Sequence, residues 1–365
     1  MTTRTARMNL PTPALVVDVE ALDRNIATMA TRAKTMGVVL RPHAKSHKCA
    51  EIAQRLARSG AVGASCATLD EAECMASGGI GGILVTSPVV TPRQLERLGR
   101  LLLRGAGIAA VADHPQNVEA YAAIAAAAGS RMDVLVDFDF GLGRTGCAEL
   151  QDAVALAGRI NAKPALRFRG VQAYWGHLQQ VMPLSERIRL TGIQQDRLRQ
   201  LIAELKAAGL APEIVSGAGT GTHAVDGRTG LFTELQPGSF LFMDSCYGSI
   251  VTNDNENPFE ASLFVAASVV SANRPGRVIV NAGLKAFATD SGKPEPRRGA
   301  PRGATYRFMG DEHGAVDFEG AGGPVLGDTI EFLTSHCDPT VNLYPGLHVV
   351  KGEEVVDFWP IRARY

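Results

Sequence analysis

No stretch of this sequence approaches the ~20 consecutive apolar residues of a bilayer-spanning helix, so no such helix is expected. The opening residues, Met1 to Leu10, also lack the apolar core of a secretory leader, which points to a cytoplasmic protein. Net charge is missing as well. Lys plus Arg and Asp plus Glu stand at 37 each, so no overall field attracts nucleic acid or an anionic membrane, and the expected partner is a small molecule. Cysteine is sparse: Cys49, Cys66, Cys74, Cys147, Cys246 and Cys337 form no Cys-x-x-Cys pair, which argues against a zinc knuckle or a disulfide framework and leaves them as small buried hydrophobes. Internal repeats and low-complexity tracts are absent too. What remains is a 365-residue chain able to bury a large core. That length exceeds the ~100–200 residues of a usual domain, so two domains, or a barrel with an addition, are expected.

Hydrophobic periodicity supplies the organisation. Thr12 to Asp18 reads as a strand, and Val19 to Met36 as an amphipathic helix with Leu22, Ile26, Met29 and Ala33 on one side. Helices then follow over Cys49–Arg58, Asp70–Ser77 (with Asp70 as N-cap), Thr91–Leu103, Pro115–Ala128, Ala148–Ile160 and Ser185–Ala208. They alternate with strands at the run around Lys45 and over Ala61–Thr68, Gly82–Ser87, Gly107–Asp113, Met132–Asp139, Arg167–Tyr174, Glu213–Ser216 and Gly238–Asp244. Eight strands alternating with helices in this way predict a (β/α)8 barrel over residues 20–255. Beyond Asn255 the segments Phe259–Ser271, Arg277–Val280, Thr305–Met309, Val316–Glu319, Asp328–Leu333 and His348–Trp359 are short and β-rich. They predict a small all-β C-terminal domain, 256–365, completed by the N-terminal strand at 10–19 near Leu15. Ser291–Gly303, rich in Pro, Arg and Gly, reads as a mobile loop.

In such a barrel the loops after the strands form the active site, and the unusual residues fall there. The run Val39-Leu40-Arg41-Pro42-His43-Ala44-Lys45-Ser46-His47-Lys48, read as a strand, puts Arg41, His43, Lys45 and His47 on one cationic face. Among such neighbours an amine is partly deprotonated and able to form a Schiff base. A basic surface strand is the competing reading, and Pro42 counts against a regular central strand.

Gly141-Leu142-Gly143-Arg144-Thr145-Gly146 is a literal G-x-G-x-x-G, yet no Asp or Glu lies between Asp152 and Glu186 to take a ribose, so a dinucleotide site is not expected. Ser216-Gly217-Ala218-Gly219-Thr220-Gly221-Thr222 follows an apolar strand, and glycines such as Gly219 let amides turn toward a phosphate; a plain tight turn is the alternative. Tyr174-Trp175-Gly176-His177 offers an aromatic ring and an imidazole, each of which could equally be core or rim. In Ser335-His336-Cys337-Asp338-Pro339-Thr340, an extended chain would point His336 and Asp338 the same way and Cys337 the other, so the first two could share a cation. A loop histidine beside an Asp-Pro turn fits the same residues.

The Pro-His-x-Lys-x-His-Lys run ending at Lys48 and the His-Cys-Asp-Pro-Thr run at 336–340 together resemble the D-threonine aldolase and D-serine dehydratase family, whose barrel is similar to that of alanine racemase. The resemblance extends from about Thr12 to the C-terminus. It implies that Lys45 carries pyridoxal 5'-phosphate, that Arg144 faces the pyridine nitrogen, that Tyr174 and His177 lie at the cofactor, and that Thr220, Gly238 and Ser239 contact its phosphate. It also implies a divalent metal on His336 and Asp338, since aldolases of the family use His-x-Asp where dehydratases use His-x-Cys. An oxygen and imidazole pair favours Mn2+ or Mg2+ over Zn2+.

The implied reaction is cleavage of a D-3-hydroxy amino acid to glycine and an aldehyde by a homodimer, with His177 as the base. A dehydratase, a racemase and a non-catalytic cofactor carrier are the other readings, in falling order. Asn281, where an Asp is expected, and Ala67, where some relatives carry a glutamine, depart from the pattern and bear on substrate preference.

Overall fold

The computed structural model describes residues 6–105, 107–250, 257–320 and 322–364. The boundary expected at Asn255 therefore lies outside the described residues.

β1 (Ala14–Asp18) leads straight into α1 (Val19–Met36), because the Asp18 carboxylate accepts hydrogen bonds from the Glu20 and Ala21 amides and so starts the helix. Gly37, at φ 72°, ends α1 in the left-handed conformation that turns the chain into the barrel. The barrel strands are β2 (Val39–Leu40), β3 (Ala64–Cys66), β4 (Ile83–Val85), β5 (Ile108–Ala112), β6 (Met132–Phe138), β7 (Leu166–Ala173), β8 (Ile214–Gly217) and β9 (Glu234–Leu235). Between them run α2 (Ala50–Arg58), α3 (Leu69–Ser77), α4 (Pro92–Leu103), α5 (Pro115–Ala127), α6 (Leu150–Asn161), α7 (Leu184–Ala207) and α8 (His223–Asp226), and α9 (Ser245–Gly248) follows β9.

All eight strands are parallel, in the order β2-β9-β8-β7-β6-β5-β4-β3. A parallel bridge between His43 and Ser65 joins the two ends and closes the barrel. The strands alternate as a closed barrel requires. Leu84, Val111 and Leu135, with Ala109 and Ile214, form their own cluster in the interior, while Ile83, Val85, Ala110, Ala112, Val134 and Val136 pack under the helices. Each of these buried leucines and valines stabilises the barrel by roughly 1.5–3 kcal/mol.

Three local expectations change. The eighth strand is Glu234–Leu235, not Gly238–Asp244, where Ser239–Leu241 instead form a 3-10 turn. Phe240, Leu241 and Phe242 are fully buried, so the run is apolar because it is core and not because it is a strand. The cap of α3 is Thr68, whose hydroxyl accepts the Glu71 amide; Asp70 lies inside the helix and pairs with Arg97. The Ser291–Gly303 segment is tied down through a two-residue strand, described next.

The C-terminal part contains β10 (Leu263–Arg274), β11 (Arg277–Val280), β12 (Glu295–Pro296), β13 (Thr305–Phe308), β14 (Gly314–Asp317), β15 (Thr329–Leu333), α10 (Cys337–Asn342), β16 (Gly346–Lys351) and β17 (Glu354–Pro360). Its sheet runs β13-β14-β11-β10-β1-β16-β17, with β15 on β10 and β12 on β15. β1 is its central strand, antiparallel to β10 and parallel to β16. The buried Arg7–Glu331 pair, at 2.6 and 2.8 Å, fastens the N-terminal end of this sheet. Asn281 spends its amide on Thr12 and Ser268, so it braces the sheet.

Candidate active site

A cavity of about 170 Å3 opens where the barrel strands end, lined by Lys45, Arg144, Tyr174, Gly219, Thr220, Gly238, Ser239 and Tyr247, with His43, Thr86, Ser87 and Gln172 among the remaining lining residues. Sequence reasoning named seven of the first eight. His177 does not line it. Its ring is exposed on the 3-10 turn Gly176–Leu178 just beyond β7.

Lys45 sits in a 3-10 turn, Ala44–Ser46, rather than on a strand. His43 caps that turn through its ring Nδ1, so the run does not present one cationic face. Arg41 turns away to a bidentate pair with Glu234, at 2.8 Å through each nitrogen. His43 and His47 are kept neutral, because burial depresses both imidazoles, His47 to about 4. The Lys45 ammonium lies 3.5 Å from Asp338 Oδ2. That carboxylate raises the lysine pKa above its ordinary value, outweighing burial and the repulsion from Arg144. The partly deprotonated amine expected from the neighbouring bases is thus corrected: a carboxylate from the other end of the chain decides its charge.

The loop after β8 is shaped for an anion. Gly217 and Gly221 are glycines because a Cβ at either would come within 1.8 Å of a backbone oxygen, of Ala173 and Gln179 respectively. The Gly221 amide is taken by Gln179 Oε1 and the Gly219 amide by Thr222 Oγ1. Among the described residues, the amides of Thr220, Gly238 and Ser239 donate to no protein acceptor. Three unspent amides at the cavity wall, with the Ser239 hydroxyl, suit a phosphate. The G-x-G-x-x-G loop is the opposite case. Its Gly141, Leu142 and Gly143 amides all donate to the Asp139 carboxylate and Gly146 donates to Asp113, which leaves them nothing for a nucleotide. Its contribution is Arg144, whose guanidinium lies 5.8 Å from the centre of the Tyr174 ring. Gly176 makes room for that ring, since a Cβ there would stand 2.8 Å from Tyr174 Cε1.

The cavity floor holds an orphan. Gln172 gives its amide hydrogens to Thr86 O and Asp137 Oδ1, both acceptors, so its Oε1 is fixed in orientation, buried and unpartnered. Unspent amides, a cationic lysine, an arginine and a buried acceptor together fit a phosphorylated aromatic aldehyde such as pyridoxal phosphate.

The His336–Asp338 turn is not extended. His336 is the N-cap residue of α10, which Cys337 opens. Cys337 is fully buried with Sγ 3.3 Å from Asp338 Oδ1, and burial drives its thiol far above the ordinary range, so it offers no thiolate. It does not point opposite to Asp338 as an extended chain would require. His336 Nδ1 lies 2.6 Å from Asp290 Oδ2. A proton shared there leaves Nε2 with a free lone pair, the state a metal needs. Among the described residues no group of three or more His, Cys, Asp or Glu is clustered to hold a metal. A site on His336 and Asp338 would therefore be an open one with two protein ligands.

Sequence reasoning missed Tyr247, Gln172, Asp290 and Asp244. None belongs to a motif, and only the alternation of β7 could have pointed Gln172 inward. Asp244 is buried, and its carboxylate accepts the Tyr247 amide at 2.8 Å and the Cys337 amide at 2.7 Å, capping α9 and α10 at once.

Residues 17–246 match the alanine racemase N-terminal domain, and residues 262–350 a putative serine dehydratase domain. A D-threonine aldolase of Arthrobacter sp. is 40% identical over 97% of this chain and 92% of its own. A 3-hydroxy-D-aspartate aldolase of Paracoccus denitrificans is 36% identical over the same shares. A D-threo-3-hydroxyaspartate dehydratase of Delftia sp. is more distant, 27% identical over 96% of this chain and 97% of its own. The crystal structure of D-threonine aldolase from Filomicrobium marinum superposes with a TM-score of 0.95 at 39% identity, covering 100% of this chain and 98% of that one.

Proposed function

The chain belongs to the family of the alanine racemase N-terminal domain, and on that premise we propose that it is a pyridoxal phosphate-dependent aldolase that cleaves D-3-hydroxy amino acids of the D-threonine type to glycine and an aldehyde, assisted by a divalent metal. The observation that carries this reading is the meeting of Lys45 with Asp338, 3.5 Å apart, beside the unspent amides of Thr220, Gly238 and Ser239. It brings a cofactor anchor, a phosphate cradle and the acidic member of the 336–338 turn into one place.

In this reading Lys45, Arg144, Tyr174, Gly219, Thr220, Gly238 and Ser239 hold the cofactor, which when bound supplies the sink for the electrons of the Cα–Cβ bond. Lys45 Nζ would be the covalent anchor, and when free it can hold a proton with Asp338 Oδ2 as its counter-charge. A proton on Nζ is what the Cα of glycine needs at the end of the reaction. Arg144 would face the ring nitrogen, where a guanidinium would disfavour a second positive charge. His336 and Asp338 would hold the metal, Mn2+ or Mg2+ ahead of Zn2+, and it would acidify the β-hydroxyl. Asp290 fixes the His336 tautomer. His177 is the assigned acceptor for the hydroxyl proton, standing exposed beyond the C-terminal end of β7.

Asp338 supports cleavage over elimination, since it stands where dehydratases of the family would carry a cysteine, and Cys337 beside it is held as a buried thiol. We assign a homodimer and a two-domain division at about residues 20–255 and 256–365, with 10–19 joined to the second, as β1 is central in its sheet. No helix among the described residues is long and apolar enough to cross a membrane.

Product analysis on a panel of D- and L-3-hydroxy amino acids tests the proposal. Glycine and an aldehyde from the D-isomers are expected. An oxoacid with ammonia would replace the aldolase by the dehydratase, and inversion without cleavage would replace it by a racemase.

A further inference from the structure

We propose that the Tyr247 hydroxyl is the hydrogen-bond donor that receives the α-carboxylate of the amino-acid substrate, an inference that rests on the function proposed above.

Tyr247 lies on the short α9 and lines the same cavity as Lys45, Tyr174 and Ser87. Its backbone is held from three sides. Asp244 Oδ1 accepts its amide at 2.8 Å, Asn257 Nδ2 donates to its carbonyl at 3.0 Å, and Ser245 and Cys246 donate to the carbonyls of Thr334 and Ser335 at 3.0 and 3.3 Å. Because the second oxygen of Asp244 takes the Cys337 amide, one carboxylate sets both Tyr247 and the turn that carries Asp338. The phenol is therefore placed in a fixed relation to the Lys45–Asp338 pair, and this comes from packing between the end of the barrel and the β-rich part.

The hydroxyl has no hydrogen-bond partner among the described residues. A phenol is an O–H donor at neutral pH, so an unpartnered one lining the cavity has a hydrogen to give. An α-amino acid brings a carboxylate that loses water on entering and requires donors in return. The two cations lining the cavity are already committed, Lys45 to the cofactor and Arg144 to its ring. The Thr86 and Thr145 hydroxyls are spent on Cys66 O and Asp137 Oδ2. The β-hydroxyl is a poor match for Tyr247, because it must lose its proton and needs an acceptor beside it. The carboxylate stays anionic from substrate to glycine, which suits a neutral hydroxyl donor.

The test is Tyr247→Phe in the cofactor-loaded enzyme, a change that removes one oxygen and keeps the ring. Glycine, which has the carboxylate but no β-oxygen, is titrated against the absorbance of the bound cofactor, and KM is measured for D-threonine. The absorbance without amino acid and the melting temperature should match wild type. The Kd for glycine and the KM for D-threonine should both rise by about 10- to 100-fold, the loss expected for a hydrogen bond to a charged group. Unchanged constants overturn the inference. So does a rise confined to D-threonine, which would put Tyr247 at the β-oxygen. A wild-type enzyme that neither responds to glycine nor cleaves D-threonine overturns the proposed function, and this inference with it.

Discussion

Asp244→Asn tests the joint between the end of the barrel and the turn bearing His336 and Asp338. The carboxylate accepts two backbone amides through separate oxygens, Tyr247 through Oδ1 and Cys337 through Oδ2. Asparagine has one oxygen, and it caps its own helix as well as aspartate does, so the Tyr247 bond should survive while the Cys337 amide meets an NH2 group. An amide left unpaired in a buried place costs about 1–3 kcal/mol. The variant recovers part of this, since burial already strains the carboxylate and raises its pKa. The net cost should be about 2 kcal/mol, concentrated at the start of α10.

By hydrogen exchange read by mass spectrometry, 2 kcal/mol is about a 30-fold faster exchange of the Cys337 amide, with the barrel helices unchanged. Asp244→Ala, which removes both acceptors, should open 337–340 further and loosen 245–248 as well. Unchanged protection of the Cys337 amide in Asp244→Asn would refute the argument that this carboxylate holds α10.

Lys45→Ala should lose the long-wavelength absorbance of the bound cofactor; borohydride reduction of wild type followed by peptide mapping should find the pyridoxyl group on Lys45, and a label on Lys48 or Lys285 would contradict the assignment. Asp226 is fully buried and accepts bonds from Trp175 and Gln195, yet burial pushes its carboxyl from 3.8 up to about 7. A carboxyl with a raised native pKa binds its proton more tightly when folded, so stability is lost as pH rises from 3.8 to about 7, by roughly 4 kcal/mol in the limit. Calorimetry should show wild type losing more melting temperature between pH 5 and pH 8 than Asp226→Asn does; parallel curves would refute it. Chelation should abolish cleavage and leave the cofactor absorbance intact, and Asp338→Ala should need more Mn2+ for activity and bind it more weakly by paramagnetic resonance; full activity of metal-free Asp338→Ala would refute the metal assignment.

The sequence alone determined the alternating helices and strands of the barrel, the β-rich C-terminal part and the return of the Leu15 strand to it. These follow from local periodicity, which each segment carries within itself: Leu22, Ile26, Met29 and Ala33 are the buried stripe of α1 because they recur at helical spacing. Short elements escaped. β9 has two residues, too few to show alternation, and it is a strand only because β2 and β8 bond to it from either side.

Charge and partnership were decided only by the tertiary structure. Lys45 stands among bases in sequence, but its closest ionic partner is Asp338, and the histidines beside it are neutral because they are buried. Asp290 takes its meaning from His336 and Asp244 from Cys337, each a partner far along the chain, and no motif marks Tyr247 as a cavity residue. Coulomb and hydrogen-bond energies depend on distance in space, and a sequence records distance only along the chain.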